Sequence, residues 1–429
     1  MIASVKIIRI PGPLTKYAAH ARNLRIIRKG EQRMEFSATY IYDRLPLILL
    51  FVTGYILYRV TASVALPEYM AARAVRFSRG RADLLLLSLI IVSALLSMFI
   101  PNAVTVLAMI PVIRSLDDEL EAMTTPLTLS IIYGANIGGM GSLIGSPANL
   151  LLIGALDMFN IAGREQITFF NWFEWALPLV AGMVFLAWLV VRLSLPKKLI
   201  QVVQTQPEKP ISQIQLKGLL VFASFLVFWA GSSFVAESVC AFKAYEPLAA
   251  VVFSILFCFA VFRGEMLRMV DMVQGIPKRG VLFLGLLGIF IILVRILRLD
   301  EHVAGLFTNL LEALGRSGDG YGIYLVTAFV VILLTEFLSN TVVSTAFFAV
   351  IVHVSATYAL NPLPLMILVS AASTCAFMTP VATPCNSLAV GEMRGMSLRT
   401  MVALGMVMNV GGAILLSGWI WWVVPKVYG

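Results

Sequence analysis

Two short groups of residues occur twice in this chain, in the same order and at nearly the same spacing. Ile100-Pro101-Asn102-Ala103-Val104 pairs with Leu338-Ser339-Asn340-Thr341-Val342, and the two asparagines lie 238 residues apart. Gly145-Ser146-Pro147-Ala148-Asn149 pairs with Ala382-Thr383-Pro384-Cys385-Asn386 at an offset of 237. Recurrence of one such group would mean little, but two groups recurring in register mark an internal duplication. The residue types suit ion binding rather than catalysis. A small residue, Pro and Asn together break a helix and free backbone carbonyls that can coordinate a small cation. The half-helix beyond each break turns its N–H groups and positive dipole end towards an anion. Paired breaks at corresponding positions of two halves point to the binding site of a membrane transporter. A single such motif reads better as a packing kink; four in two matched pairs do not.

The segments that must hold these groups are apolar. Of 429 residues, 59% are hydrophobic and 13% charged, against roughly 25% charged in a soluble domain, and the mean hydropathy is +0.91. This composition excludes a soluble enzyme, a nucleic-acid binder and a disordered regulator. The net charge of +9 sits mostly in polar stretches between apolar runs, as the positive-inside bias predicts. A spanning helix needs about 20 apolar residues; residues 175–191, 218–236, 280–294 and 400–425 suit that, with 247–262 shorter but usable. The runs that carry the motifs differ. Residues 84–113 and 122–156 contain no Asp, Glu, Lys or Arg, and 337–391 is broken only by His353. Each has Pro and Asn in its interior, and 122–156 has Gly as well. Bare backbone at membrane depth is tolerated only where it is buried or lines a watery cavity, so these runs are expected to be re-entrant hairpins and broken helices. The expected division is a basic arm over 1–44, a first repeat over 45–195, a cytoplasmic linker over 196–217 and a second repeat over 218–429. Residues 68–82, with Arg73, Arg76 and Arg81 among Met70, Val75 and Phe77, read as an interfacial amphipathic helix. Trp419, Trp421 and Trp422 read as an interfacial belt.

Few other residues could do chemistry. Cys240, Cys258, Cys375 and Cys385 offer no disulfide framework and no metal spacing. His20, His302 and His353 are far apart, so a membrane-embedded enzyme lacks its catalytic groups. His353 reads as a packed helix residue. Glu336, beside the second asparagine motif, has two readings: a functional intramembrane carboxylate, or a helix cap or scaffold contact.

The paired motifs resemble those of the divalent anion:sodium symporters, within the wider ion transporter superfamily. The second copy is intact in Thr335-Glu336-Phe337-Leu338-Ser339-Asn340-Thr341, whereas Ser97-Met98-Phe99-Ile100-Pro101-Asn102-Ala103 keeps the asparagine and loses both flanking hydroxyls. Ala135-Asn136-Ile137-Gly138-Gly139 and Cys375-Ala376-Phe377-Met378-Thr379-Pro380 look like the same family. The resemblance covers roughly 45–425. It implies an all-α polytopic membrane protein of two inverted repeats with re-entrant hairpins and broken helices, working as an elevator-type transporter and built as a homodimer. It implies one sodium site at Ser97, Asn102 and Gly145 and a second at Thr335, Asn340 and Ala382. The anion would be held by Asn102, Ser339, Asn340 and Thr341, with Ser146, Thr383 and Pro384 close by. Pro101 and Ala103 remove two hydroxyls and one N–H from the first tip. A buried ligand oxygen left unpaired there costs about 1–3 kcal/mol, so the ligand is expected to be smaller, less charged or differently oriented than a typical dicarboxylate.

The resulting expectation is a sodium-coupled symporter of a small divalent anion, dicarboxylate or sulfate, in a prokaryotic cytoplasmic membrane. The alternative within the superfamily is a proton-coupled carrier or an exporter of an oxyanion such as arsenite.

Overall fold

Helices end in this chain where the sequence withdraws a backbone donor or supplies a cap, and those ends set the architecture. The computed structural model describes residues 38–117, 123–195, 210–239, 244–268, 320–393 and 395–428, with positions 242, 305 and 309. The span expected at 280–294, the basic arm before Ala38, linker residues 196–209, and His20, Cys240 and His302 lie outside the described residues. Residues 1–45 and Pro46–Gly429 are separate units. The first is described only from Ala38, as the start of a helix.

Among the described residues there are fourteen α-helices and no strand. They are α1 (Ala38–Ser63), α2 (Leu66–Phe77), α3 (Ala82–Ser97), α4 (Asn102–Asp117), α5 (Thr124–Gly138), α6 (Pro147–Met158) and α7 (Phe169–Arg192), then α8 (Gln213–Ser238), α9 (Glu246–Arg263), α10 (Gly320–Thr335), α11 (Asn340–Thr357), α12 (Pro362–Ser373), α13 (Pro384–Glu392) and α14 (Leu398–Val427). Among the described residues, five segments are long and apolar enough to cross a membrane: Leu45–Ser63, Phe169–Arg192, Gln213–Ala236, Glu246–Arg263 and Leu398–Val427. The motif-bearing helices are shorter. The arms α3, α4 and α10 have 16 residues each, about 24 Å, which falls short of a hydrocarbon core of about 30 Å.

One series of elements runs twice: a hairpin (α3–α4, α10–α11), a helix broken at its middle (α5–α6, α12–α13), and a long helix (α7, α14). Each break restarts in the same way. Ser146 and Thr383 are N-caps, and Pro147 and Pro384 follow in the first turn, where a missing N–H removes no helical bond. The halves interlock, with α4 against α13 and α11 against α6. Hairpin and broken helix also approach closely within the first half. A Cβ on Gly134 would stand 2.5 Å from the Ile90 carbonyl oxygen, and one on Gly138 would strike the Ala94 backbone. This is a small-residue seam that lets two helix backbones touch.

Indole N–H groups pin the long helices to this core. Trp172 Nε1 donates to the Met140 carbonyl at 3.0 Å, beside the first break, and Trp188 Nε1 donates to the Asp83 carbonyl at 2.9 Å. Trp419 departs from the expected belt. Its Nε1 donates to the Trp175 carbonyl at 2.9 Å, while Trp421 and Trp422 remain exposed, with Lys426 over the Trp422 ring. His353 is exposed on α11 rather than packed. The amphipathic helix expected at 68–82 is present as Leu66–Phe77.

Candidate functional site

At the first hairpin tip, Ser97 closes α3 and Asn102 opens α4. Pro101, with no N–H, prevents one helix from running through. Ser97 Oγ donates to Asn102 Oδ1 at 2.6 Å. The first break folds against this tip. Ser142 Oγ donates to the Met98 carbonyl, and a Cβ on Gly145 would meet the carbonyl oxygens of Gly139 at 2.8 Å, Met98 at 3.0 Å and Gly138 at 3.3 Å. Glycine suits this position because three backbone oxygens occupy the space that a side chain would enter. Asn149 braces the break, donating from Nδ2 to the carbonyls of Gly139 at 3.0 Å and Ser142 at 2.7 Å. Beside Asn102, this places several oxygens of the kind a hard cation prefers.

The second half repeats the pattern at matching positions. Thr335 Oγ1 lies 2.6 Å from Asn340 Oδ1 and 3.0 Å from the Ser373 carbonyl. Thr379 Oγ1 donates to the Glu336 carbonyl at 2.7 Å, as Ser142 does to Met98. Asn386 braces the second break through the carbonyls of Ala376 at 3.0 Å and Thr379 at 2.9 Å. The difference lies at Glu336, which is fully buried. Its Oε1 accepts from the backbone N–H of Phe377 and Met378 and from Asn409 Nδ2, each at 2.8 Å, and its Oε2 accepts from Thr379 N–H at 2.8 Å. Of the two readings of Glu336, the geometry favours the cap: the carboxylate satisfies the N–H groups that the break exposes. The first half has Met98 at this position and satisfies its glycine turn internally, for example through Gly141 N–H to the Gly138 carbonyl at 2.8 Å.

A buried polar chain joins the halves. Asn102 Nδ2 approaches Asn136 Oδ1 at 3.4 Å, and Asn136 Nδ2 donates to the Ala376 carbonyl at 2.7 Å and to Asn386 Oδ1 at 3.1 Å. Cys385 Sγ lies 3.2 Å from Asn136 Oδ1 and 3.0 Å from Thr383 Oγ1. Ser370 Oγ donates to Asn149 Oδ1 at 2.8 Å. Asn136 is thus the hub of this polar chain, although residue type alone does not single it out.

The expected site residues therefore fall into groups. Ser97, Asn102 and Gly145 come together, as do Thr335 and Asn340. Ala382 precedes Thr383 at the second break. Ser146 and Thr383 spend their hydroxyls on capping, accepting from Ala148 N–H at 3.3 Å and Asn386 N–H at 3.2 Å, and Pro384 opens α13. Ser339 and Thr341 flank Asn340; Ser339 is exposed and makes no cap bond, while Thr341 is buried. The tips also differ in cover. Phe99 packs edge-on against Phe222 at 5.2 Å, whereas Phe337 is 66% exposed.

A hairpin and a broken helix, duplicated and interlocked in an apolar chain, define a secondary transporter. The chain belongs to the citrate transporter family, whose model matches residues 34–364, and so to the ion transporter superfamily that its motifs resemble; it is a multi-pass integral membrane protein. It is 27% identical over 433 residues to the sodium-dependent dicarboxylate transporter SdcS of Staphylococcus saprophyticus, covering 92% of this chain and 79% of the relative. It is 27% identical over 421 residues to the transporter of that name from Staphylococcus aureus, covering 89% and 77%. An uncharacterized transporter of Haemophilus influenzae is 24% identical over 396 residues, covering 88% and 81%. In fold alone, the chain is similar to the YdaH transporter of Alcanivorax borkumensis, with a TM-score of 0.54 and 15% identity over 90% of both chains.

Proposed function

We propose that this protein is a sodium-coupled symporter of a small dicarboxylate-class anion. The observation that carries the reading is the twin pairing of a hydroxyl with an asparagine oxygen at each hairpin tip, Ser97 with Asn102 and Thr335 with Asn340, both at 2.6 Å. Such a pairing beside unwound carbonyls offers a compact oxygen cluster to a cation in each half. In this reading Ser97, Asn102 and Gly145 form one sodium site, and Thr335, Asn340 and Ala382 form the other. Asn102, Ser339, Asn340 and Thr341 hold the anion, with Ser146, Thr383 and Pro384 orienting half-helix N-termini towards it. The names of the staphylococcal relatives support both the cation and the substrate class. Repeats spanning 45–195 and 218–429, an elevator-like movement and a homodimer belong to the same reading.

The test is uptake of labelled succinate into vesicles holding purified protein, with an inward gradient of sodium, potassium or protons. Concentrative uptake driven by sodium alone is expected. Uptake driven only by protons, or transport of arsenite but no dicarboxylate, would replace this reading with the alternative one.

Gly145→Ala is expected to weaken sodium binding on the order of tenfold, about 1.4 kcal/mol, because the new methyl displaces the Gly139 and Met98 carbonyls. Ala382→Gly, at the matching position, is expected to change it little. Sodium-dependent thermal stabilisation measures both, since a ligand of the folded state raises the melting temperature by mass action.

Cys385 is expected to report on the site. Its thiol is buried within the chain that links Asn136 and Thr383. With Cys240, Cys258 and Cys375 replaced by Ser or Ala, a small aqueous maleimide should react slowly, and more slowly still with sodium and substrate present. A labelling rate indifferent to both ligands would remove Cys385 from the pathway.

A further inference from the structure

Asn136 lies in the last turn of α5 and is fully buried. A carboxamide has two hydrogens and two lone pairs to place, and here all four are used. Nδ2 donates to the Ala376 carbonyl at 2.7 Å and to Asn386 Oδ1 at 3.1 Å. Oδ1 accepts from the Cys385 thiol at 3.2 Å and from Asn102 Nδ2 at 3.4 Å. Three of these partners belong to the second break; the fourth is the asparagine of the first tip. The offset of 237 that pairs Asn149 with Asn386 places Ser373 opposite Asn136. The Ser373 hydroxyl stays within its own helix, donating to the Ser370 carbonyl at 2.8 Å. The four-way link is therefore particular to the first half and is not a by-product of duplication.

The link runs on to both cation groups. Asn102 Oδ1 receives the Ser97 hydroxyl at 2.6 Å. An amide holds its oxygen and nitrogen in one plane, so an ion that fixes Asn102 Oδ1 also fixes Nδ2 on Asn136. On the far side, Asn386 braces the Ala376 and Thr379 carbonyls. The Thr379 N–H rests on Glu336, next in sequence to Thr335, whose hydroxyl meets Asn340. Asn136 and Asn386 are fully buried, and in such surroundings each bond of a chain polarises the next. Order imposed by an ion at one end leaves less ordering for an ion at the other.

We propose that Asn136 is a positioning residue that couples the two cation sites, so that sodium held at the first tip raises the affinity of the second. The proposal rests on the sodium reading above and adds the residue that makes the two sites act together.

The experiment is equilibrium binding of radiolabelled sodium to the purified full-length protein. Wild type is expected to bind two ions with a Hill coefficient above unity. Asn136→Ser should still bind two ions, with the coefficient at unity or below, the value for independent sites, and with a coupling of about fivefold or more lost. The variant leaves its former partners satisfied, since Ala376 keeps the Asn386 amide and Asn386 Oδ1 keeps the Thr383 hydroxyl at 2.9 Å. A merely structural role would alter melting temperature and leave the coefficient as it was. Should Asn136→Ser not fold, hydrogen exchange in Asn340→Ala decides, because there only the first tip holds an ion: sodium should slow exchange at the amides of residues 377–379, and an unchanged rate would overturn the proposal. A wild-type coefficient at or below unity, or an unchanged coefficient in folded Asn136→Ser, would overturn it while leaving the sodium reading in place. Loss of one ion from the variant would overturn it too, by making Asn136 part of a site. Absence of sodium binding in wild type would remove the sodium reading and the coupling together.

Discussion

Asn340→Ala is expected to abolish sodium-driven uptake while leaving insertion and folding intact. Asn340 opens α11, and its Oδ1 receives the Thr335 hydroxyl at 2.6 Å. In the proposed site the same side chain faces both a cation and the anion, and removing it leaves a polar pocket without a partner that water can cheaply replace. Loss of two bonds to charged groups is worth about 3 kcal/mol, or more than a hundredfold in binding. The matching change Asn102→Ala should cost stability as well, because Asn102 also contacts Asn136 and through it the second half. The measurement is succinate uptake beside a thermal unfolding curve. Wild-type uptake by well-folded Asn340→Ala protein would take the second tip out of the site.

Glu336→Ala is expected to destabilise the fold by about 3–5 kcal/mol. Four donors would lose their acceptor at once: three consecutive backbone N–H groups and the Asn409 amide. A buried acceptor that serves charge-assisted bonds costs this much when only one side is removed. Glu336→Gln keeps one acceptor oxygen and should fall between. Met98→Ala, at the corresponding position of the first half, should be milder, because the glycine turn there closes on its own carbonyls. Melting temperatures in detergent would rank the three variants. An unchanged value for Glu336→Ala would show that the second break holds itself together without the carboxylate.

How far the fold was legible follows from what the residues encode locally. Pro and Asn at the tips and breaks are local instructions, so the hairpin expected within 84–113 is found as α3 and α4, and the break within 122–156 as α5 and α6. The uncharged run 337–391 omits the first arm of the second hairpin, because Glu336 lies inside the tip. Its charge is met by backbone donors rather than water, and a count of charges cannot tell those apart. The carbonyls around Gly145 belong to Met98, Gly138 and Gly139, and backbone oxygen carries no residue code. Asn136 stood within a recognised stretch, yet its importance depends on partners in the other half, which no periodicity reveals. Ser146 and Thr383 suited an anion by type. Their oxygens also cap helices, a second use that the same residue types permit.

The link between Asn136 and the second half also bears on how the protein is made. The partners of its amide, the Ala376 carbonyl and Asn386 Oδ1, lie 240 and 250 residues further along the chain. At ribosomal speeds of about 5–20 residues per second, the second half follows the first by roughly 12–50 s. For that interval an inserted first half holds a buried amide with its final acceptors still unmade, in a solvent that offers no replacement. The first half can complete this contact only after the second is made, and a chain truncated before Ala376 is expected to be degraded faster than the full chain, as a pulse-chase comparison would show.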